Sequence, residues 1–134
     1  MNGPVTEGEL VVVTRSPREL VDITEQLHQA LAEAGVGDGV CQLYCPHTTA
    51  GVTINEGADP DVRRDIVAAL EAMVPRLAYR HREGNSPAHV MSSLMGCSAL
   101  APVRQGRLRL GTWQRVFFCE FDGPRTRRLQ WSVL

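Results

Sequence analysis

Lysine is absent from this 134-residue chain, and all fourteen of its basic residues are arginine. The absence excludes lysine Schiff-base chemistry and the lysine of a phosphate-binding P-loop. Any anionic group must then be held by arginine forks, backbone amides or a metal. Charge of one sign is not in excess either: the formal net charge is -1. That argues against nucleic-acid binding driven by phosphate neutralisation. No apolar run reaches the length of a membrane span. The opening MNGPVTEGEL has neither the basic start nor the apolar core of a secretory signal, so a cytoplasmic location is expected. A C-x-x-C pair is also missing. Cys41, Cys45, Cys97 and Cys119 are scattered through apolar stretches and read as buried small hydrophobes in a reducing compartment.

What is present fits one globular domain over residues 1–134, with 43% apolar and 22% charged residues. Residues 9–15 are rich in β-branched side chains and predict a strand. Ser16-Pro17-Arg18-Glu19 has the form of a capping box. It predicts a helix running through Leu20, Ile23, Leu27, Ala30, Leu31 and Ala34 to Gly35. His28 falls off that apolar stripe and is expected to be solvated. Strands are predicted at 40–45 and 49–55. Asp59-Pro60 opens a second helix, with Val62, Ile66, Leu70 and Met73 as its buried stripe. Ser86-Pro87 opens a third, which Gly96 closes. The last third reads as strands at 98–103 and 107–110, joined in a hairpin around Arg104-Gln105-Gly106, and at 113–121 and 126–133. Strands outnumber helices and do not alternate with them, which predicts an α+β fold. Its core would be a strand-rich mixed or antiparallel sheet with about three helices packed on it.

Three of the four histidines stand where elements begin or end. His47 follows the 40–45 strand, His81 follows Tyr79-Arg80, and His89 lies in the first turn of the third helix. Three imidazoles and one open position make the ligand set of a catalytic zinc site. Their spacing alone equally fits unrelated loop histidines making ordinary hydrogen bonds. Asn55-Glu56-Gly57-Ala58-Asp59 forms a strand-to-helix junction, a common location for reactive side chains. Glu56 there has the chemistry of a general base, of a partner orienting a histidine, or of a metal ligand. Asp59 needs no role beyond capping its helix. Gly111-Thr112-Trp113-Gln114 has the character of a small polar-ligand loop, although Trp113 by itself is expected in the core. Ser92 follows His89 closely, and Arg125 has either an anion or Asp122 to pair with.

Together these segments resemble the YjbQ-like, or secondary thiamine-phosphate synthase, family. The matching text is His47-Thr48-Thr49-Ala50, Thr53-Ile54-Asn55-Glu56 and Ala58-Asp59-Pro60-Asp61-Val62. It continues with His81, Glu83-Gly84-Asn85, Ala88-His89, Ser92-Ser93-Leu94 and Gly96, then Gly111-Thr112-Trp113-Gln114 and Asp122-Gly123-Pro124-Arg125. The resemblance implies a compact α+β fold assembled as a homotrimer. It also implies a pocket near a subunit interface, with a divalent metal, zinc by its ligand type, held through His47, His81 and His89. The activity it implies is a weak thiamine-phosphate synthase, a transferase joining a pyrimidine pyrophosphate to a thiazole phosphate. In that reading Glu56 is the catalytic carboxylate, and Asn55, Ser92, Thr112, Gln114 and Arg125 contact a small phosphorylated substrate. The alternative is a trimeric metal- or small-ligand-binding protein without turnover. Two positions depart from the family pattern: Met91 stands where a basic residue is usual, and Cys97 replaces a proline.

Overall fold

The computed structural model describes residues 5–134. Its strands are β1 (Thr6–Val13), β2 (Glu19–Asp22), β3 (Gly39–Tyr44), β4 (Ala50–Glu56), β5 (Ser98–Arg104), β6 (Arg107–Leu108), β7 (Gln114–Glu120) and β8 (Thr126–Val133). Three helices complete it: α1 (Thr24–Glu33), α2 (Pro60–Met73) and α3 (Ser86–Met95). The strands form two sheets, one of five in the order β1-β8-β3-β5-β6 and one of three in the order β2-β7-β4. Every pairing is antiparallel. This is the α+β class that the strand-rich pattern predicts.

Period-two alternation builds the first core. Leu10 and Val12 on β1, Cys41 and Leu43 on β3, and Leu129 and Trp131 on β8 all point inward. They meet Val52, Val116 and Phe118 of the three-stranded sheet, with Leu27 and Leu31 of α1. A second core lies on the other side of that smaller sheet. There Leu20, Phe117, Cys119 and Phe121 pack under Val74, Ala88 and Met91. The central strand β7 is therefore covered on both faces, and residues 116–120 are all buried. A strand covered on both faces reads as a near-continuous apolar run, as Val116–Cys119 does here. Its one charged buried residue, Glu120, needs a partner.

The structure corrects several local expectations. Half of the capping box forms, because the Glu19 carboxylate accepts from the backbone N–H of Ser16 at 2.9 Å. The chain nevertheless continues as β2, pairing Leu20 with Cys119, and the helix begins only at Thr24. Extension there covers the open edge of β7 and buries Leu20, a gain no isolated helical turn offers. His28 is buried, not solvated, and its Nε2 accepts from the Leu108 N–H at 3.2 Å. Burial, reinforced by the nearby Arg107 charge, holds its imidazole below the usual histidine range. Trp113 is 63% exposed, because its residue lies in the turn that enters β7. Cys97 is exposed, whereas the other three cysteines are buried as expected. The α2 stripe is only half-buried, and Met73 at its end is exposed.

Other features follow the sequence closely. Asp59 caps α2 by accepting from the Asp61 N–H at 2.9 Å. The β5–β6 hairpin turns through Gln105 and Gly106, both at positive φ, as a tight two-residue turn requires. Gly51 allows the end of α3 to approach β4, since a Cβ there would lie 2.6 Å from the Gly96 carbonyl oxygen. Among the described residues no helix is long and apolar enough to cross a membrane.

Candidate functional site

β7 and β8 follow one another in the chain but belong to different sheets. A charged pair, Glu120 closing β7 and Arg127 near the start of β8, joins the two sheets across the intervening turn. Both side chains are buried, at 0% and 3% exposure. The guanidinium Nε donates to Glu120 Oε1 at 2.9 Å, and Nη2 donates to Glu120 Oε2. Nη2 also donates to Thr49 Oγ1 at 2.9 Å. Glu120 accepts a further bond from Thr14 Oγ1 at 2.7 Å and one from the Asp122 N–H at 3.1 Å. Burial by itself pushes the Glu120 carboxyl up. The bonds from Arg127, Thr14 and Asp122 outweigh it and hold the group below the usual carboxylate range. Nη1 of Arg127 has no hydrogen-bond partner among the described residues. The guanidinium lines a cleft of about 340 Å³.

That cleft is shared by His47, Asn85, His89, Arg125 and Arg127. His47 sits in the loop from β3 to β4, with its ring edge-on to Phe118 at 6.4 Å between centroids. Its Nε2 accepts from the Arg128 N–H at 2.9 Å, so the neutral ring carries its proton on Nδ1. Burial, with the Arg127 charge behind it, lowers the His47 pKa and favours that neutral form. His89 lies in the first turn of α3, and the His81 ring stands 5.5 Å from it in a near-perpendicular arrangement. A neighbouring cleft of about 510 Å³ is again lined by His47 and His89, now with Ser92, Cys45 and Cys97. Asn85 closes the polar wall by donating Nδ2 to Asp122 at 3.0 Å, which leaves its Oδ1 buried and unpartnered. Among the described residues, no three His, Cys, Asp or Glu side chains are grouped to hold a metal.

The remaining candidates divide by position. Arg125 is at the cleft and bonded to Asp122 through both Nε and Nη2, each at 2.7 Å. Ser92 is nearby, but its hydroxyl donates to the Ala50 carbonyl at 2.6 Å and anchors α3 on β4. Asn55, Glu56, Thr112 and Gln114 are elsewhere. Glu56 pairs with Gln114 at one end of the β4–β7 ladder, and Ala50 pairs with Glu120 at the other. A seven-residue strand separates these ends by roughly 20 Å. At the far end the side chains serve the backbone. Asn55 accepts from the Glu56 N–H, Glu56 from the Asp59 N–H and Gln114 from the Gly111 N–H.

Sequence reasoning missed Glu120, Arg127 and Thr49. A usable signal existed in the alternation itself. Arg127 shares the inward parity of Leu129 and Trp131, and Glu120 ends an apolar run. A charge at an inward strand position requires burial with a partner or a ligand.

Fold and site define a small two-sheet α+β protein whose polar, histidine-lined cleft opens at the end of a buried ion pair. The chain belongs to the UPF0047 YjbQ-like family, whose model matches residues 8–134. It is 48% identical over 124 residues to the UPF0047 protein MJ1081 of Methanocaldococcus jannaschii, covering 92% of this chain and 90% of that one. It is 49% identical over 120 residues to the UPF0047 protein YugU of Bacillus subtilis, covering 88% and 91%. Among solved structures, a YjbQ/UPF0047 family protein from Clostridium acetobutylicum superposes with a TM-score of 0.89 at 47% identity. That match covers 94% of this chain and 98% of the other. The conserved hypothetical protein TT1486 of Thermus thermophilus superposes at 0.88 and 43% identity, covering 95% and 99%.

Proposed function

We propose that the histidine cleft binds a small phosphorylated molecule beside a divalent metal ion, zinc by its ligand chemistry, in a cytoplasmic homotrimer. The observation that carries this reading is the convergence of His47, His89 and Arg127 on one polar cleft. Arg127 is held rigid by Glu120 and Thr49, with one terminal nitrogen left over for an anion. The donors available for a metal fit in chemical type. His81 and His89 are adjacent imidazoles that would hold it, with His47 across the cleft as the third ligand. The metal, when bound, supplies Lewis-acid stabilisation of charge on a phosphate oxygen.

The reaction that fits is the thiamine-phosphate synthase type. The thiazole nitrogen forms a C–N bond to the pyrimidine methylene, and pyrophosphate leaves with the electrons of the broken C–O bond. Arg127 Nη1 is then the donor available to the departing charge. Glu56, Asn55, Thr112 and Gln114 lie at the far end of β4 and β7, so they take part only as residues of a neighbouring copy. Two surfaces support the trimer. The α2 stripe of Ile66, Val67 and Leu70 is incompletely covered. The outer face of the five-stranded sheet exposes Val11, Val13, Tyr44 and Leu100, alongside a groove of about 630 Å³.

Elemental analysis of untagged protein, its mass in solution and titration with pyrophosphate test these parts separately. The expected result is a trimer with bound metal that His89→Ala removes, and pyrophosphate binding that Arg127→Gln weakens by tenfold or more. Metal content indifferent to His81 and His89 overturns the metal assignment; absence of pyrophosphate binding overturns the phosphate assignment. The second reading is a trimeric binding protein without turnover, favoured by the distance of Glu56 from the cleft in a single chain. Single-turnover assay with both substrates separates the two: binding without product selects the second.

A further inference from the structure

We propose that Cys45 and Cys97 form a redox modification site, a cross-strand thiol pair that a peroxide converts into a disulfide in the wall of the second histidine cleft. The β3–β5 ladder ends with Tyr44 opposite Ser98. One further step along an antiparallel register sets Cys45 opposite Cys97, and the Cys45 N–H donates to the Cys97 carbonyl at 2.7 Å. Directly opposed residues in such a pair have Cα atoms about 5.5 Å apart, within the range that a disulfide spans. Both side chains line the same cleft. Neither of the other two stands opposite a cysteine in a ladder: Cys41 faces Ala101 and Val133, and Cys119 faces Leu20 and Gly51.

The two thiols have different access. Cys97 is exposed and meets the oxidant, whereas Cys45 is buried at 2% exposure. The Cys97 sulfur attacks hydrogen peroxide, forming an S–O bond as the O–O bond breaks, and one water leaves. The resulting sulfenic acid is attacked by the Cys45 sulfur, so the S–S bond forms, the S–O bond breaks and a second water carries off the Cys45 proton. Each sulfur gives up one electron, and the peroxide takes both. The bridge ties the segment leading into His47 to the second residue past α3, so oxidation is recorded at the cleft itself. In a reducing compartment a reversible bond of this kind acts as a sensor more readily than as a structural staple.

The test is stoichiometric hydrogen peroxide on the reduced full-length protein, followed by intact mass, thiol counting and peptide mapping. The expected outcome is a mass lower by two hydrogens, two thiols remaining of four, and a single Cys45–Cys97 linked peptide released by dithiothreitol. Cys97→Ser is expected to retain all its thiols under the same dose, and Cys45→Ser to accumulate a Cys97 sulfenic acid trapped by dimedone. A Cys97 sulfinic acid as the main product in the unaltered protein overturns the proposal, as does a Cys45–Cys119 or Cys41–Cys45 link or a bridge between chains.

Discussion

β4 and β7 run side by side along their whole length, yet their two ends are built differently. At the Ala50–Glu120 end, charged and hydroxyl side chains are buried and bond to one another through Arg127, Thr14 and Thr49. At the Glu56–Gln114 end, exposed polar side chains cap backbone N–H groups on neighbouring residues. Both ends carry a carboxylate, but only the first holds one away from water. An exposed cap contributes about 1 kcal/mol and is easily replaced. A buried ion pair contributes little net stability, while losing either partner is severe. The lesson is that polarity at a strand end identifies a site only when burial makes it costly.

The largest effect is expected at Glu120. Glu120→Gln leaves the Arg127 charge without its counterion and should lower unfolding free energy by about 3–5 kcal/mol in urea titration. The same carboxyl links stability to pH. Its folded pKa lies below the unfolded value, so its contribution is full at neutral pH and is lost as pH falls from about 4.5 downward. Urea midpoints of the natural chain should drop through that range, and those of Glu120→Gln should drop less. Thr14→Val removes one buried hydroxyl donor to Glu120 and should cost about 1–3 kcal/mol. At the opposite end, Asp59→Ala should cost about 1 kcal/mol through loss of the α2 cap. Glu56→Gln, which keeps an acceptor for the Asp59 N–H, should stay within about 0.5 kcal/mol by thermal melting. A Glu56 effect as large as that of Thr14 would break the contrast. A loss of activity without loss of stability would sharpen it, by placing Glu56 at a neighbouring copy's cleft.

Much of the fold was legible because its signals are local. The Asp59-Pro60 cap, the Gln105-Gly106 turn and the alternation in β8 each arise from residues a few positions apart. β2 was not legible. Ser16-Pro17-Arg18-Glu19 satisfies helix-start chemistry locally, and only the unpaired edge of β7, a hundred residues away, decides for a strand. His28 was misplaced for a related reason, since what buries it is the β6 hairpin closing over α1. At the site, His47 and His89 were legible as histidines at element ends. Their meeting on one cleft depends on Gly51, Ser92 and the packing of α3 over β4.

The sequence by itself determined the class of fold and the positions of most elements, because these rest on short-range patterns of polarity and on turn chemistry; the family came from the resemblance of its motifs. Only the tertiary structure decided which polar residues share a space. It brought Glu120, Arg127 and Thr49 together and left Glu56 at the far end of the same strand. Strand pairing between distant segments sets those neighbours, and no local spacing encodes it.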